Sequence, residues 1–379
     1  MAVFAVAQGR PLSLWGRLRR INWLIVLVLC AIAGVGVAVL YSVAGGGFEP
    51  WALRQALRFG FALVLMLAIA LVDLRLWMRL ALPLYGLGLA LLLAVELMGV
   101  TGGGGQRWID LGVMRLQPSE LMKVALVLVL ARYYHDLTVE RARRLSSLVG
   151  PLVLVLAPTA LVIVQPDLGT ALLLVMGGVA MVFLSGMRPW LFVSGIIAGL
   201  AAIPIGWQFL RDYQKERVLT FLDPSRDPLG AGYHIQQAKI ALGSGGLTGK
   251  GYLLGTQSHL NFLPEMHTDF IFTMLAEEWG FIGALAVLAL YLVVLAYGVS
   301  VAVQARSQFG RMLAMGLTIT LFLYVFINVG MVMGLLPVVG VPLPLVSYGG
   351  SATMTMMIAM GLIFAVDINR DLSIPRHGY

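Results

Sequence analysis

Ten long apolar segments recur along this chain of 379 residues and constrain its fold more than any other feature. Each is close to the roughly 20 residues that an α-helix needs to cross the hydrocarbon core of a bilayer. The composition agrees, because 60% of the residues are hydrophobic and only 12% are charged, against roughly 25% charged in soluble domains. The sequence therefore predicts an all-α polytopic membrane protein of about ten transmembrane helices and excludes a water-soluble enzyme. The predicted spans are 22–43, 56–72, 80–100, 117–134, 149–165, 168–185, 190–210, 270–300, 312–336 and 351–366.

The distribution of basic residues predicts the orientation of these spans. With the N-terminus in the cytoplasm, fifteen Lys and Arg residues fall on the cytoplasmic side and five on short outer loops and span ends. Cytoplasmic loops carry such an excess, so both termini are predicted to be cytoplasmic. The same excess accounts for the net charge of +8 without nucleic acid as a partner. The single cysteine, Cys30, excludes a disulfide framework.

The chain is predicted to be a single membrane domain, 1–379, with one large extracytoplasmic loop at about 211–269. In this loop, Tyr233–Leu242 has the apolar spacing of a helix but is too polar to span a bilayer, which is typical of an interfacial helix. A glycine-rich coil, Gly243–Gly251, follows it. Loops of this length are usually functional.

Polar residues inside or beside spans are costly unless they are paired or used, and they identify the candidate sites. Glu120 and Lys123 lie three residues apart at a helix start opened by Pro118, so they share a face and can pair. They form either a self-neutralising helix start or a charged pair that lines a polar cavity. Asp167, in the turn Gln165–Thr170, is either an N-cap or a second site residue.

Two further clusters lie where the large loop meets a span and at the last predicted helix. Asp269 is the last acidic residue before an apolar run, where a partly desolvated carboxylate can accept a proton; the alternative is an N-cap. Glu277 and Glu278 lie deeper, and depth alone makes them candidates for an ion or proton pathway. Ser347–Ser351 follows a proline-rich turn and opens a helix whose free N–H groups can hold an anion such as a diphosphate.

These strings closely resemble the shape, elongation, division and sporulation (SEDS) family of bacterial cell-wall polymerases, and within it RodA more than FtsW. The resemblance covers nearly the whole chain, and Asp227–Ile235 in the large loop looks specifically RodA-like. The remaining strings that carry it are Arg107–Ile109, Gln117–Lys123, Gln165–Thr170, His267–Phe270, Pro342–Pro344 and Ser347–Ser351.

The resemblance implies a ten-helix glycosyltransferase of the bacterial cytoplasmic membrane that polymerises lipid II into glycan strands on the outer face. It also implies a class B penicillin-binding protein as the transpeptidase partner. The essential aspartate of the family falls on Asp269, and Glu120 and Lys123 match functionally important polar positions. These three residues are the predicted catalytic set.

The chemistry fits this role, because a sugar hydroxyl is a poor nucleophile at neutral pH and needs a positioned base such as Asp269. Inverting transfer needs one base and no covalent intermediate. The leaving diphosphate needs its growing charge neutralised, for which Arg107, Lys123, Arg217 and a divalent cation (Mg²⁺ or Mn²⁺) remain candidates. The residues predicted to bind substrate are Arg107, Arg217, His267, Thr268, Ser347, Tyr348, Gly349 and Ser351.

Two alternatives from other classes stay open. A lipid II flippase also has about ten helices with intramembrane charges and spans broken by Gly and Pro, but its polar residues should extend to both faces. A scaffold that anchors the transpeptidase would use the loop 211–269 for docking. The segment Gly310–Asn328, with Gly316 and Gly330 nearby, is predicted to pack against the partner's membrane helix, with 190–210 as the alternative.

Overall fold

The computed structural model describes residues 13–375 except 103–104, 111, 113–114, 210–211, 224–230 and 257–265. Within this part of the chain, a helix occupies each of the ten segments predicted to span the membrane. These helices are α2 (Trp23–Val43), α3 (Ala52–Ala70), α4 (Leu74–Met98), α5 (Pro118–Asp136), α7 (Val149–Val164), α8 (Leu168–Leu184), α9 (Pro189–Phe209), α12 (Ile271–Gln304), α13 (Gln308–Val332) and α14 (Gly350–Ile368). The shorter helices are α1 (Leu14–Arg20), α6 (Val139–Ala142), α10 (Asp212–Leu222) and α11 (Ala231–Ser244), and a 3-10 turn covers Leu145–Leu148.

The lengths and compositions of these helices confirm a polytopic helical membrane protein. Seven helices in the described part of the chain are long and apolar enough to cross a membrane by themselves. Helix α8 and the apolar part of α9 are shorter. Helix α5 is 19 residues long but carries the charged residues Glu120, Lys123, Arg132 and Asp136. Length and apolarity alone therefore identify fewer spans than the ten predicted.

Helices α5, α13 and α14 form the interior of the bundle. In the apolar windows of α13 and α14, 72% and 78% of the residues are buried, against 28% for α3 and α4. Gly361 permits the close approach of α14 to α3, because a Cβ atom there would lie 2.7 Å from the carbonyl oxygen of Met66. The charged residues Glu120 and Lys123 of α5 are thus enclosed by protein rather than by lipid.

Helix α9 has the opposite surroundings. Most of its side chains are exposed, including Trp190, Ile196, Ile197 and Leu200. One contact with α8 is an edge-to-face packing of Phe192 on Phe183, with ring centroids 5.3 Å apart. An apolar helix with this exposure presents its surface to acyl chains.

The glycines of α13 do not form the lipid-facing surface that the sequence predicted for partner docking. Gly316 lies against Met181 of α8 and Val127 of α5, and Gly330 lies against Leu336. Gly310 is likewise buried. These residues allow close packing inside the bundle, so that part of the docking prediction is wrong.

The large loop contains regular structure, and the helix predicted at Tyr233–Leu242 is confirmed as part of α11. Helix α10 precedes it. A small antiparallel sheet, absent from the all-α prediction, lies between α4 and α5. Its strands β1 (Val100–Gly102), β2 (Gly105–Asp110) and β3 (Arg115–Leu116) pair in the order β1-β2-β3.

Helix α12 differs from the single span predicted at 270–300, because it is broken at Gly280. The backbone of Gly280 has φ 67° and ψ −167°, far from helical values, and this region of φ favours glycine. The break separates a buried half-helix, Ile271–Trp279, from the long helix that starts at Phe281. The half-helix begins two residues after Asp269.

Candidate functional site

Four of the sequence motifs meet at one end of the bundle, where α3, α5, α8, α12 and α14 all begin. We call this group the motif cluster; it consists of Gln117–Lys123, Gln165–Thr170, Met266–Phe270 and Pro342–Ser351. The sequence separates these strings by up to about 230 positions, and the convergence of helix N-termini brings them together. Helix N-termini also turn unsatisfied backbone N–H groups toward the cluster.

The backbone of the Asp269 turn is held by side chains from the end of α13 and from the segment before α14. Asn328 donates from Nδ2 to the carbonyl oxygens of Asp269 at 2.9 Å and Val341 at 2.8 Å. The Ser347 hydroxyl donates to the Thr268 carbonyl at 2.6 Å and accepts from the Leu343 amide at 2.8 Å. These contacts fix the main chain of the Asp269 turn.

That carboxylate lies beside the proline- and glycine-rich segment. A Cβ atom on Gly340 would lie 3.5 Å from Oδ2 of Asp269, and Gly340 itself has φ +74°. The neighbouring carbonyl of Val339 lies directly against Gly169 at the start of α8. Asp269, the 339–341 segment and the Gln165–Thr170 turn are thus in continuous contact. Phe270, rather than Asp269, is the N-cap residue of α12, so the N-cap alternative for Asp269 is wrong.

His267 and Tyr348 belong to a column of stacked side chains beside Asp269. The His267 ring stacks on Trp51 with centroids 4.7 Å apart and planes 16° apart. Tyr348 follows at 6.0 Å from His267, and its amide donates to the His267 carbonyl at 2.9 Å. The guanidinium carbon of Arg58 lies 4.8 Å from the centre of the Tyr348 ring, an attractive cation–π geometry.

Gly349 and Ser351 begin α14. The N-cap residue is Gly349, and α14 has no side-chain cap hydrogen bond. Gln55 of α3 is almost fully buried and donates to the Ser347 carbonyl and the Thr353 hydroxyl, both at 3.1 Å. The Ser351 hydroxyl donates to the Arg115 carbonyl at 3.0 Å. Ser351 therefore ties the small sheet to α14, a contact that ligand binding would have to break.

Glu120 and Lys123 form the charged pair that their spacing predicts. Lys123 Nζ lies 2.6 Å from Glu120 Oε1, and the two side chains are 3% and 5% exposed. Tyr324 of α13 donates its hydroxyl to Glu120 Oε2 at 2.6 Å, and Lys123 Nζ lies 4.5 Å from the centre of the Tyr324 ring. The pair lies inside the bundle at the motif cluster and is self-neutralising, as one of the two interpretations predicts; that it lines a polar cavity stays a prediction.

Asp167 and Arg107 have structural partners. Asp167 caps α8, because its Oδ1 accepts from the Thr170 amide at 3.1 Å, and its Oδ2 accepts from Gln117 at 3.1 Å. Arg107, on β2, donates from Nε to the Gln165 carbonyl at 3.1 Å and from a terminal nitrogen to the Pro166 carbonyl. This guanidinium supports the turn, and its role in neutralising the diphosphate stays a prediction. The side chain of Arg217 lies outside the described part of the structure.

Glu277 and Glu278 are buried at the break in α12. Glu277 Oε1 lies 2.6 Å from Lys250 Nζ, and Glu278 Oε1 accepts a hydrogen bond from Ser42 of α2. Each carboxylate therefore interacts with a neighbouring segment, Glu277 with the large loop and Glu278 with α2.

Several residues that contact the motif cluster were not identified from the sequence. Gln55 and Tyr324 are polar side chains buried within apolar helices, and the cost of burying them without partners was the available signal. Trp51 and Arg58 carry no such signal, because aromatic and basic residues at a helix start are common at membrane interfaces.

The fold and the cluster define a class: an integral membrane protein with a carboxylate-bearing site at the helix N-termini of one end. Residues 19–372 match the model of the family that comprises FtsW, RodA and SpoVE, described as "Cell cycle protein". The chain therefore belongs to this family, the SEDS family.

Relatives cover almost the whole chain. It is 46% identical over 347 residues to the peptidoglycan glycosyltransferase MrdB of Escherichia coli K12, an alignment that covers 91% of this chain and 93% of MrdB. A solved structure described as "Structural coordination of polymerization and crosslinking by a peptidoglycan synthase complex" matches with TM-score 0.81 and 34% identity, covering 92% of this chain and 98% of the other. The rod shape determining protein RodA of Thermus thermophilus matches with TM-score 0.69 and 30% identity, covering 92% and 97%.

Proposed function

We propose that the protein is a peptidoglycan glycosyltransferase that polymerises lipid II into glycan strands. The observation that carries the proposal is the meeting of Asp269 with the buried Glu120–Lys123 pair and the start of α14 in one motif cluster. The names of the relatives agree with this reaction. The positive-inside rule favours the outer face of the bacterial cytoplasmic membrane for the cluster, and a lipid-linked substrate explains an enzyme embedded in the bilayer.

In the proposed reaction, Asp269 accepts the proton of an attacking sugar hydroxyl. The hydroxyl oxygen forms a bond to the anomeric carbon of the second lipid-linked sugar while the bond from that carbon to the diphosphate oxygen breaks. The electron pair leaves with the polyprenyl diphosphate, and Asp269 later releases its proton to water. A single base with displacement at the anomeric carbon gives inversion.

Positive charge near the diphosphate is needed as it leaves. Arg107 and Lys123 already have partners, and Lys123 is neutralised by Glu120. Arg58 is the better placed cation for this role, because its side chain lies against Gly350 in the first turn of α14. Backbone N–H groups at that helix start add to its attraction for an anion.

The donor set of the site is compatible with a divalent cation held jointly by protein and substrate. The described residues contain no group of three or more His, Cys, Asp or Glu side chains that could hold a metal ion. Mg²⁺ typically binds through one or two carboxylates together with substrate phosphates. Asp269 would be the protein ligand, and the ion would neutralise charge on the leaving diphosphate. Omission of Mg²⁺ and Mn²⁺ with chelator present should then lower the rate, and either ion should restore it.

The partner we propose is a class B penicillin-binding protein, and the decisive assay uses both purified proteins with labelled lipid II. Wild-type complex should produce glycan strands, resolved by gel electrophoresis. Asp269→Asn should abolish polymer formation, because the amide cannot accept the proton, while folding and partner binding stay intact. Asp110→Asn, an exposed change on β2, is the matched control and should polymerise at the wild-type rate. Glycan formation by Asp269→Asn at that rate would show that the base is another group.

Lipid II transport is the second candidate, and the broken helix α12 is the observation that favours it. Discontinuous helices near buried carboxylates are typical of transporters. In this chain, however, the break is filled by residues of the large loop. Scrambling of labelled lipid II in vesicles without polymer would support transport, whereas polymer from purified complex supports the enzyme.

A further inference from the structure

The break in α12 is filled by a glycine-rich segment of the large loop, whose backbone groups replace missing helical hydrogen bonds. In a continuous helix, the amides of Phe281 and Ile282 would donate to the carbonyls four residues earlier, those of Glu277 and Glu278. Here those amides donate instead to the carbonyls of Gly246 at 2.9 Å and Leu247 at 3.1 Å.

The carbonyl groups of Glu277 and Glu278, on the other side of the break, are hydrogen-bonded by the same loop segment. The Glu277 carbonyl accepts from the Lys250 amide at 3.0 Å, and the Glu278 carbonyl accepts from the Gly251 amide at 3.1 Å. The loop thus provides hydrogen-bond partners for backbone groups on both sides of the break, as buried backbone N–H and C=O groups require. Gly249 makes this approach possible, because its φ is +82° and a Cβ atom would collide with the Glu278 carbonyl.

A polar contact reinforces the backbone exchange. Glu277 Oε1, fully buried, lies 2.6 Å from Lys250 Nζ. It also accepts from the Thr256 amide at 3.1 Å and the Thr256 hydroxyl at 3.0 Å. Lys250 Nζ in turn donates to the Thr256 hydroxyl at 2.8 Å. We call the loop segment 245–251, together with the side chains of Lys250, Thr256 and Glu277, the loop clamp.

The loop clamp fixes the half-helix that leads out of Asp269. The helical hydrogen bonds that Phe281 and Ile282 would make to the half-helix Ile271–Trp279 are replaced by bonds to the loop, so the clamp helps to hold the end of the half-helix. Its beginning is held by Asn328 through the Asp269 carbonyl. A shift of the clamped end would move the half-helix as a unit, and Asp269 with it.

We propose that the loop clamp positions Asp269 for glycosyl transfer, with Lys250, Thr256 and Glu277 as positioning residues. The inference rests on the function proposed above. A misplacement of a reacting group by about 1 Å costs on the order of 100-fold in rate. Loss of the clamp should therefore lower kcat while the affinity for lipid II, set at the motif cluster, changes little.

The test is steady-state polymerisation by the full-length protein with its transpeptidase partner, with rates normalised to folded enzyme. Lys250→Met and Glu277→Gln should each lower kcat about 10- to 100-fold and leave KM for lipid II within about threefold of wild type. Lys250→Arg, which keeps the charge and reaches the same carboxylate, should recover most of the loss. Lys239→Met, at an exposed position of α11, is the matched control and should keep wild-type kcat.

A purely structural role would give a different result. Variants with lower thermal stability but wild-type kcat per folded molecule would overturn the inference, as would equal losses in Lys250→Met and Lys250→Arg. If Lys250→Met does not fold, Thr256→Val tests the same contact, and wild-type kcat in that folded variant would also overturn it. Asp269→Asn is measured alongside: wild-type turnover there refutes the proposed base, whereas an inactive Asp269→Asn with unaffected clamp variants refutes only the positioning role.

Discussion

The described part of the structure contains two lysine–glutamate pairs in which the glutamate is buried. They have the same contact distance but different positions in the fold. Glu120–Lys123 and Glu277–Lys250 both have an Nζ–Oε1 distance of 2.6 Å. The first pair lies within one turn of α5. The second joins residues 27 positions apart, one in the large loop and one on the half-helix of α12. Only the second can hold two segments together.

The surroundings of the pairs differ as well. Glu120–Lys123 is enclosed on all sides, with Tyr324 as its third member. In the other pair the Glu277 side chain is fully buried, but the Lys250 side chain is 28% exposed. Removal of one partner from an enclosed pair leaves a buried charge uncompensated and lowers stability strongly. A pair that reaches water loses less, because water solvates part of the remaining charge. The comparison indicates that a local pair acts within one helix, whereas a long-range pair can fix the relative position of two segments.

The largest effect should come from breaking the enclosed pair. Lys123→Met leaves the Glu120 carboxylate buried without a cation, and such a loss costs about 3–5 kcal/mol of folding free energy. We expect lower thermal stability in detergent and loss of lipid II polymerisation. Glu120→Ala and Lys123→Ala should each impair activity, and the double variant should cost less than their sum. Strict additivity in this double-mutant cycle would show that the two residues act independently.

A smaller effect should come from the third member of the enclosed pair. Tyr324→Phe removes the hydroxyl that donates to Glu120 and retains the ring beside Lys123. Hydrogen bonds to charged groups contribute about 1.5–3 kcal/mol, so thermal stability should fall by less than in Lys123→Met. Phe326→Leu, a lipid-exposed change on the same helix, serves as the reference. Unchanged stability of Tyr324→Phe would mean that Tyr324 is dispensable to the pair.

The smallest effect should be the response of the two pairs to salt. Raising ionic strength from about 0.05 M to 0.5 M shortens the screening length several-fold. The stability difference between wild type and Lys250→Met should therefore shrink by about 0.2–0.5 kcal/mol. The corresponding difference for Lys123→Met should stay constant, since no solvent reaches that pair. Equal salt responses of the two variants would contradict the difference in enclosure.

The helices and the local pair could be predicted from the sequence because both depend on short-range pattern. Apolar runs of bilayer length identify spans, and a spacing of three residues puts Glu120 and Lys123 on one helix face. The family motifs further indicated Asp269, and the structure places it in the motif cluster. The catalytic roles of these three residues stay predictions until the variants are assayed.

The remaining features depend on tertiary contacts that no local pattern encodes. The Lys250–Glu277 pair joins distant segments. Hydropathy does not detect the break at Gly280, because the helix Ile271–Gln304 is apolar enough to qualify as a span despite Glu277 and Glu278. Arg107 looked available for diphosphate because a sequence does not show that the Gln165 and Pro166 carbonyls face it. The three short strands after α4 are too brief and too rich in glycine for a period-two pattern to appear.

The broken helix α12 has a consequence for how the protein is made. As one continuous rod, its 34 residues would extend about 51 Å, well beyond the roughly 30 Å hydrocarbon thickness. The long part from Phe281 onward, about 36 Å at 1.5 Å per residue, suffices to cross by itself. The half-helix is too short to cross, so we expect it to fold into the bundle after the long part of α12 is inserted. At that stage the glycine-rich loop segment can form hydrogen bonds with its backbone. Completion of the site around Asp269 is therefore a late step of biogenesis, one that follows insertion by the translocation machinery.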